Sequence, residues 1–435
     1  MKIKRIVSLL LVLVLAVSAI AVLGSCKKEE KKKTDNITVQ IGPNPETLDP
    51  ALNSAVDGGN MLITLFETLL IIDKDNKVQP GQAESYTVSP DGLTWTFTMR
   101  DGLKWSDGTE LNAKDFEYTM KRITDPDVGA PYGSTVVGMI EGYLDAAGNP
   151  DEKGKPTTKP DRDKLNVKAS EEGQTLTIKL AYPCSYFDKI VAFGTMSPVQ
   201  KATVEKNGDK WATKPETYVC NGPYMISEWT PGEKIICKKN PNYKGGWDNS
   251  KIVTEQLTFL LLEDSAASYA AYTNGQALMI KDVPTEEIPS LKKAADGGDF
   301  YVDTNLGTYY LSMNNQKAPF NNVNVRKALS LVIDREYVAN TIMQGTYTPA
   351  YNFVGPGIVD NEGMFIDNSI AANGGSTYIS KDYQANVAEA KKALAEAGYP
   401  DGKGFPTITY STNDVGYHKA LAEYLQQVYK KELVI

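Results

Sequence analysis

Two periods alternate along this chain. A period of two marks Thr94–Met99 (TWTFTM), where Trp95, Phe97 and Met99 fall on one face and Thr94, Thr96 and Thr98 on the other. That is the mark of a half-buried strand. Ile37–Ile41 (ITVQI) and the run QTLTIKLAY from Gln174 repeat it. Turns bound these strands. Ser89-Pro90-Asp91-Gly92, Asp101-Gly102 and Asp107-Gly108 each supply a glycine for a tight turn. Thr230-Pro231-Gly232-Glu233 has Pro and Gly at the central positions of a type II turn. The hairpin it closes sets Cys237 opposite Met225–Ile226 and away from Cys220.

Helical spacing takes over elsewhere. Asn60–Ile72 (NMLITLFETLLII) reads as a buried helix. In LNAKDFEYTMKR, Asn112 stands as an N-cap with Asp115 three residues on, close to a capping box. The second half of the chain predicts helices over 265–273, over the run NVRKALSLVIDREYVANTIMQG that Gly345 stops, over 386–398 and over 418–431. Strands are expected between them at TYYLSMNN (308–315) and TITYST (407–412). No solenoid repeat is present, and the mixture is α/β.

Composition adds an address. Lys2, Lys4 and Arg5 precede an apolar run from Leu9 to Leu23 and then Leu23-Gly24-Ser25-Cys26. This is the layout of a bacterial secretory signal, residues 1–25, and the cysteine after Leu-Gly-Ser resembles a lipobox, which makes Cys26 the expected lipidation site. The charged stretch 26–36 is expected to be a solvated tether. At about 150 residues per domain the 435 residues allow two or three domains. The net charge is −8 and grows more negative once the basic leader is removed, which argues against nucleic-acid partners. Cys184, Cys220 and Cys237 are read as small buried apolar residues, with at most one disulfide among them.

Little in the chain suggests catalysis. The single histidine, His418, lies near the start of a helix, where a cap or surface role is expected. No HExxH, GxSxG or Walker glycine loop occurs, so no metal, cofactor or catalytic residue is expected. Ser290–Lys293 matches S-x-x-K without its companion motifs. DKDNKV from Asp73 resembles a calcium loop but has Lys77 where an oxygen ligand belongs, so a polar hairpin turn is expected. The 24 tyrosines suit either interlayer packing or a cleft that grips ligands by stacking.

Several stretches together are similar to one family. PETLDP, the block from LFETLL through DGLKWSDGTELNAKDFEY, NGPY with NPNY after it, NNQKAPFNNVNVRKALSLVIDRE and AKKALAEAGYPDG resemble the extracytoplasmic oligopeptide-binding proteins of ABC importers, solute-binding family 5. The resemblance implies a two-lobed, periplasmic-binding-protein-like (type II) α/β fold with an extra inserted domain. Lobe I would comprise 37–66 and 200–306, the inserted domain 67–199 and lobe II 307–435. It implies a peptide held as an added strand, with Ser54, Ala55 and Val56 in the segment that pairs with its backbone. Tyr132 matches a tyrosine of the inserted domain that reaches the ligand, Tyr310 matches a cleft-lining aromatic, and Asn305 takes the place of another cleft aromatic. The implied partners are a peptide ligand, permease subunits with their cytoplasmic ATPases, and the membrane through the lipid anchor, for a monomer without cofactors. The implied place is the outer face of the bacterial cytoplasmic membrane, on the periplasmic side where an outer membrane exists. Family members continue beyond the position of Ile435 with the aspartate that takes the peptide's α-amino group, so an incomplete second lobe is expected. Three alternatives stay open: the same fold on an oligosaccharide or nickel complex, a secreted hydrolase, and a surface adhesin or sensor.

Overall fold

The computed structural model describes residues 36–435 except 152–153, 282, 295–297, 304, 361 and 414–415. The expected signal 1–25, the lipidation site Cys26 and the tether up to residue 35 lie outside the described residues. The chain forms two compact units. One runs to Leu261 and takes in Gln276–Met279; the other comprises Leu262–Gly275 and Ile280–Ile435. The expected junctions at 66/67 and 199/200 fall inside the first unit and the one at Gly307 inside the second.

The first unit is built on two four-stranded sheets. Its strands in chain order are β1 (Asn36–Gln40), β2 (Leu70–Ile72), β3 (Val78–Pro80), β4 (Ala83–Val88), β5 (Thr94–Met99), β6 (Val167–Ala169), β7 (Thr175–Lys179), β8 (Tyr224–Thr230), β9 (Lys234–Lys239) and β10 (Gln256–Leu260). One sheet has the order β1-β10-β9-β8, with β1 parallel to β10 and the rest antiparallel. The other, β4-β5-β7-β6, is antiparallel throughout. The alternation read in β5 is realised, since Trp95, Phe97 and Met99 are buried. Trp95 stacks on Tyr86 at 5.4 Å and meets the edge of Phe187 at 5.3 Å. Trp105 is fully buried, and one apolar core joins these residues to the helix Val56–Leu65. The turn glycines Gly92, Gly102 and Gly108 all take positive φ, which only glycine adopts freely. β2 and β3 form a hairpin whose turn is closed by Asp73 accepting from the N–H groups of Asp75 and Lys77.

The 230–233 turn forms as read, with the Glu233 N–H donating to the Thr230 carbonyl at 3.0 Å and Gly232 at φ +73°. Thr230 then lies opposite Lys234, one step off the register read from the sequence. A bulge between Ile226 and Glu228 restores it, so Ile226 still faces Cys237. All three described cysteines are free and buried.

The run 60–72 is not one helix. The helix covers Val56–Leu65, Phe66 is extended, and the chain continues into β2. A clamp from the NGPY motif ends it. The Gly222 N–H donates to the Leu65 carbonyl at 2.8 Å, and the Asn221 amide holds both the N–H and the carbonyl of Glu67 at 3.1 and 2.8 Å. A Cβ at residue 222 would stand 2.4 Å from the Leu65 carbonyl carbon, so only glycine permits the approach.

The second unit is mainly helical among the described residues. Val323–Leu331 packs on Tyr383–Glu396 around Val325, Ala328, Leu329, Ala390 and Leu394, and His418–Val428 joins through Val428. The predicted strands at 308–315 and 407–412 form no ladder among the described residues.

Candidate functional site

Ser54, Ala55 and Val56 leave a tight turn and enter the helix Val56–Leu65, with Ala55 at the N-cap. All three are exposed, Val56 at 71%. Their position is set from Asp49, in the PETLDP motif. The Asp49 carbonyl accepts from the N–H groups of Leu52 and Asn53, while its buried carboxylate accepts from Ala51 N–H, from the Trp211 indole at 3.0 Å, and from both terminal nitrogens of Arg122 at 3.0 and 2.6 Å. Arg122 comes from the helix Ala113–Ile123, which the Asn112–Asp115 capping box starts. Trp211 stacks on Tyr218, whose hydroxyl donates to the Leu48 carbonyl. A bidentate guanidinium–carboxylate pair removed from water is strong and geometrically specific, so it fixes the turn that presents Ser54.

The backbone groups of the segment are not equally available. The Ala55 carbonyl accepts from the Gly59 N–H at 3.0 Å and from Asn53 Nδ2 at 3.1 Å. The Ser54 carbonyl and the N–H groups of Val56 and Asp57 carry no hydrogen bond among the described residues. Unpaired N–H groups are what a helix start leaves for solvent or a ligand.

Tyr132 is half-buried at the start of the short helix Gly133–Val137 and meets Phe193 edge-on at 5.3 Å. The turn that follows Phe193, Gly194–Met196, packs on the helix Val56–Leu65. Tyr132 and the Ser54–Val56 helix thus share a neighbour in the first unit. Asn305 and Tyr310 lie in the second unit, both exposed. Tyr310 pairs with exposed Phe353 at 5.8 Å, an aromatic that sequence reading passed over because nothing local singles it out. Tyr309 has different neighbours, Tyr417 and His418. Its hydroxyl meets His418 Nδ1 at 3.0 Å, and burial with the Tyr410 hydroxyl pushes its pKa up to about 12. His418 is pushed down by burial, which favours the neutral ring.

Glu67, like Asp49, is a buried carboxylate. It accepts from Gln82, Tyr243 and the Gly246 N–H at 2.8, 2.5 and 2.8 Å, and burial raises its pKa despite these bonds. Among the described residues no group of three or more His, Cys, Asp or Glu side chains is placed to hold a metal ion.

Comparison with known proteins gives this geometry its context. Residues 77–434 match the model of the bacterial extracellular solute-binding proteins, family 5. The chain is 36% identical over 395 residues to the periplasmic oligopeptide-binding protein OppA of Salmonella typhimurium, covering 90% of this chain and 68% of that protein. It is 32% identical over 443 residues to the oligopeptide-binding protein OppA of Bacillus subtilis, covering 98% and 75%. Haemophilus influenzae OppA in complex with RPPGFSPFR superposes with a TM-score of 0.78 at 31% identity, over 92% of this chain and 74% of that one. The Escherichia coli murein tripeptide binding protein MppA does so with a TM-score of 0.79 at 30% identity, over 92% and 74%. The expected α/β fold of type II periplasmic binding proteins is the observed one. This chain belongs to the bacterial extracellular solute-binding proteins of family 5.

Proposed function

We propose that this protein captures oligopeptides outside the cytoplasm and delivers them to the permease of an ABC importer. The observation that carries the reading is the match, along nine-tenths of the chain, to OppA proteins that include one solved with a bound nonapeptide. The protein acts as a binding partner and changes no covalent bond in its cargo. The residues assigned to ligand contact are Ser54–Val56, Tyr132, Asn305 and Tyr310. The free Val56 and Asp57 N–H groups suit the carbonyls of an extended peptide, and such main-chain pairing gives affinity without side-chain selectivity. The three-domain division, a monomeric state and anchoring through lipidated Cys26 complete the proposal.

Mass spectrometry of ligand released from protein purified under native conditions tests it, followed by calorimetry with a mixed peptide pool. Peptides of mixed sequence and a calorimetric signal are expected. A sugar or metal complex as the only released ligand, with no heat from peptides, would overturn the reading.

A further inference from the structure

We propose that Asn53 and Gly58 act together as a positioning pair that decides which backbone groups of Ser54–Val56 face a ligand. The proposal rests on the peptide-binding reading. Asn53 Nδ2 donates to the Ala55 carbonyl at 3.1 Å, adding to the Gly59 N–H that the helix already supplies. That carbonyl is thereby withdrawn from any ligand, and the donors at Val56 and Asp57 remain. The Asn53 amide can lie there only because residue 58 has no side chain. A Cβ at Gly58 would fall 2.1 Å from Asn53 Oδ1 and 2.9 Å from its Cγ, well inside contact distance, and 3.2 Å from the Thr47 carbonyl oxygen, a lesser crowding. Gly59, the next residue, has only Asn53 Nδ2 in range at 3.7 Å, an ordinary contact. Glycine inside a helix is otherwise unfavourable relative to alanine, so helix formation does not account for residue 58. Alanine there would swing the Asn53 amide off Ala55 and leave that carbonyl able to draw a ligand group out of register.

Four variants of the full chain separate this from a purely structural role: G58A, G59A, N53A and the double variant N53A/G58A. Each is followed by calorimetry against a mixed peptide pool, by thermal melting, and by hydrogen exchange at the Gly59 N–H. G58A and N53A are each expected to lose about tenfold in peptide affinity and to keep a cooperative melt. G59A is expected to bind as the parent does. The double variant should lose less than the sum of the two single losses, because the severe clash disappears with the Asn53 side chain and only the 3.2 Å approach to the Thr47 carbonyl remains. Parent-like affinity in G58A, or additive losses in the double variant, would overturn the proposal. Should the parent bind no peptide, the function reading fails instead. Gly59 exchange then decides the pair by itself, since G58A and N53A should change its protection alike, and unchanged protection in either would overturn the pair.

Discussion

Arg122 and Asp49 stand 73 residues apart in sequence and meet in the interior of the first unit, the arginine side chain 10% exposed and the aspartate 4%. Replacing Arg122 with Met removes the guanidinium and leaves a buried carboxylate with only the Trp211 indole and the Ala51 N–H. Breaking one side of a buried pair costs about 3–5 kcal/mol. R122M is therefore expected to lose that much in urea unfolding and to weaken peptide binding, because the turn that carries Ser54 loosens with it. A loss below about 1 kcal/mol would show that the pair does not hold the turn. The sequence displayed Asp49 in PETLDP and Arg122 in a helix, and nothing local joined them. Long-range pairing of single charges leaves no periodicity, so the anchor of the candidate segment was invisible while the segment itself was named.

At the scale of elements, local chemistry was the most legible. The capping box at Asn112–Asp115, the alternation in β5 and the Pro-Gly turn at 231–232 each depend on a few neighbouring residues, and each formed. The failures all depend on partners elsewhere. The helix expected over 60–72 was cut at Leu65 by Asn221 and Gly222, more than 150 residues away, and the strands expected at 308–315 and 407–412 lack ladder partners among the described residues. The motifs NGPY and NPNY, which carried much of the resemblance, work as the scaffold around Glu67: Asn221 holds its backbone, and Tyr243 donates to its carboxylate. The capping box also makes a pH prediction. Burial raises the Asp115 carboxyl from its ordinary 3.8 to about 6, although it accepts from the Asn112 N–H at 3.0 Å. Between these two values the folded protein holds a proton that the unfolded chain has released. The contribution of Asp115 to stability therefore falls as pH rises from about 4 to about 6, by at most about 3 kcal/mol for a shift of this size. D115N keeps an oxygen to accept the Asn112 N–H and removes the titration. Its stability should gain on the parent's across that window, as urea melts at pH 4, 5, 6 and 7 would show; parallel curves for the two proteins would refute the assignment.

At the scale of the whole molecule, the cysteines connect the fold with where the protein resides. Cys184, Cys220 and Cys237 are free and between 0% and 5% exposed. Burial pushes the Cys220 thiol up to about 12 and raises Cys237 as well, so neither forms a reactive thiolate at neutral pH. In the native protein Cys184, Cys220 and Cys237 should therefore be silent to a thiol reagent such as Ellman's, and unfolding in guanidinium should release their thiols without any reductant. The number released reports on the leader. The sequence holds four cysteines, the fourth being Cys26. If Cys26 is acylated through its sulfur, as proposed, protein taken from membranes of its own cells should show three thiols on denaturation. A C26S variant expressed in the same cells should also show three and should leave the membrane for the medium or periplasm. Four thiols in the membrane-derived parent would mean an unmodified Cys26 and would remove the lipid anchor from the proposal. Fewer than three would mean a disulfide among the buried cysteines, which the Ile226–Cys237 register opposes, because it places an isoleucine and not Cys220 across the ladder from Cys237.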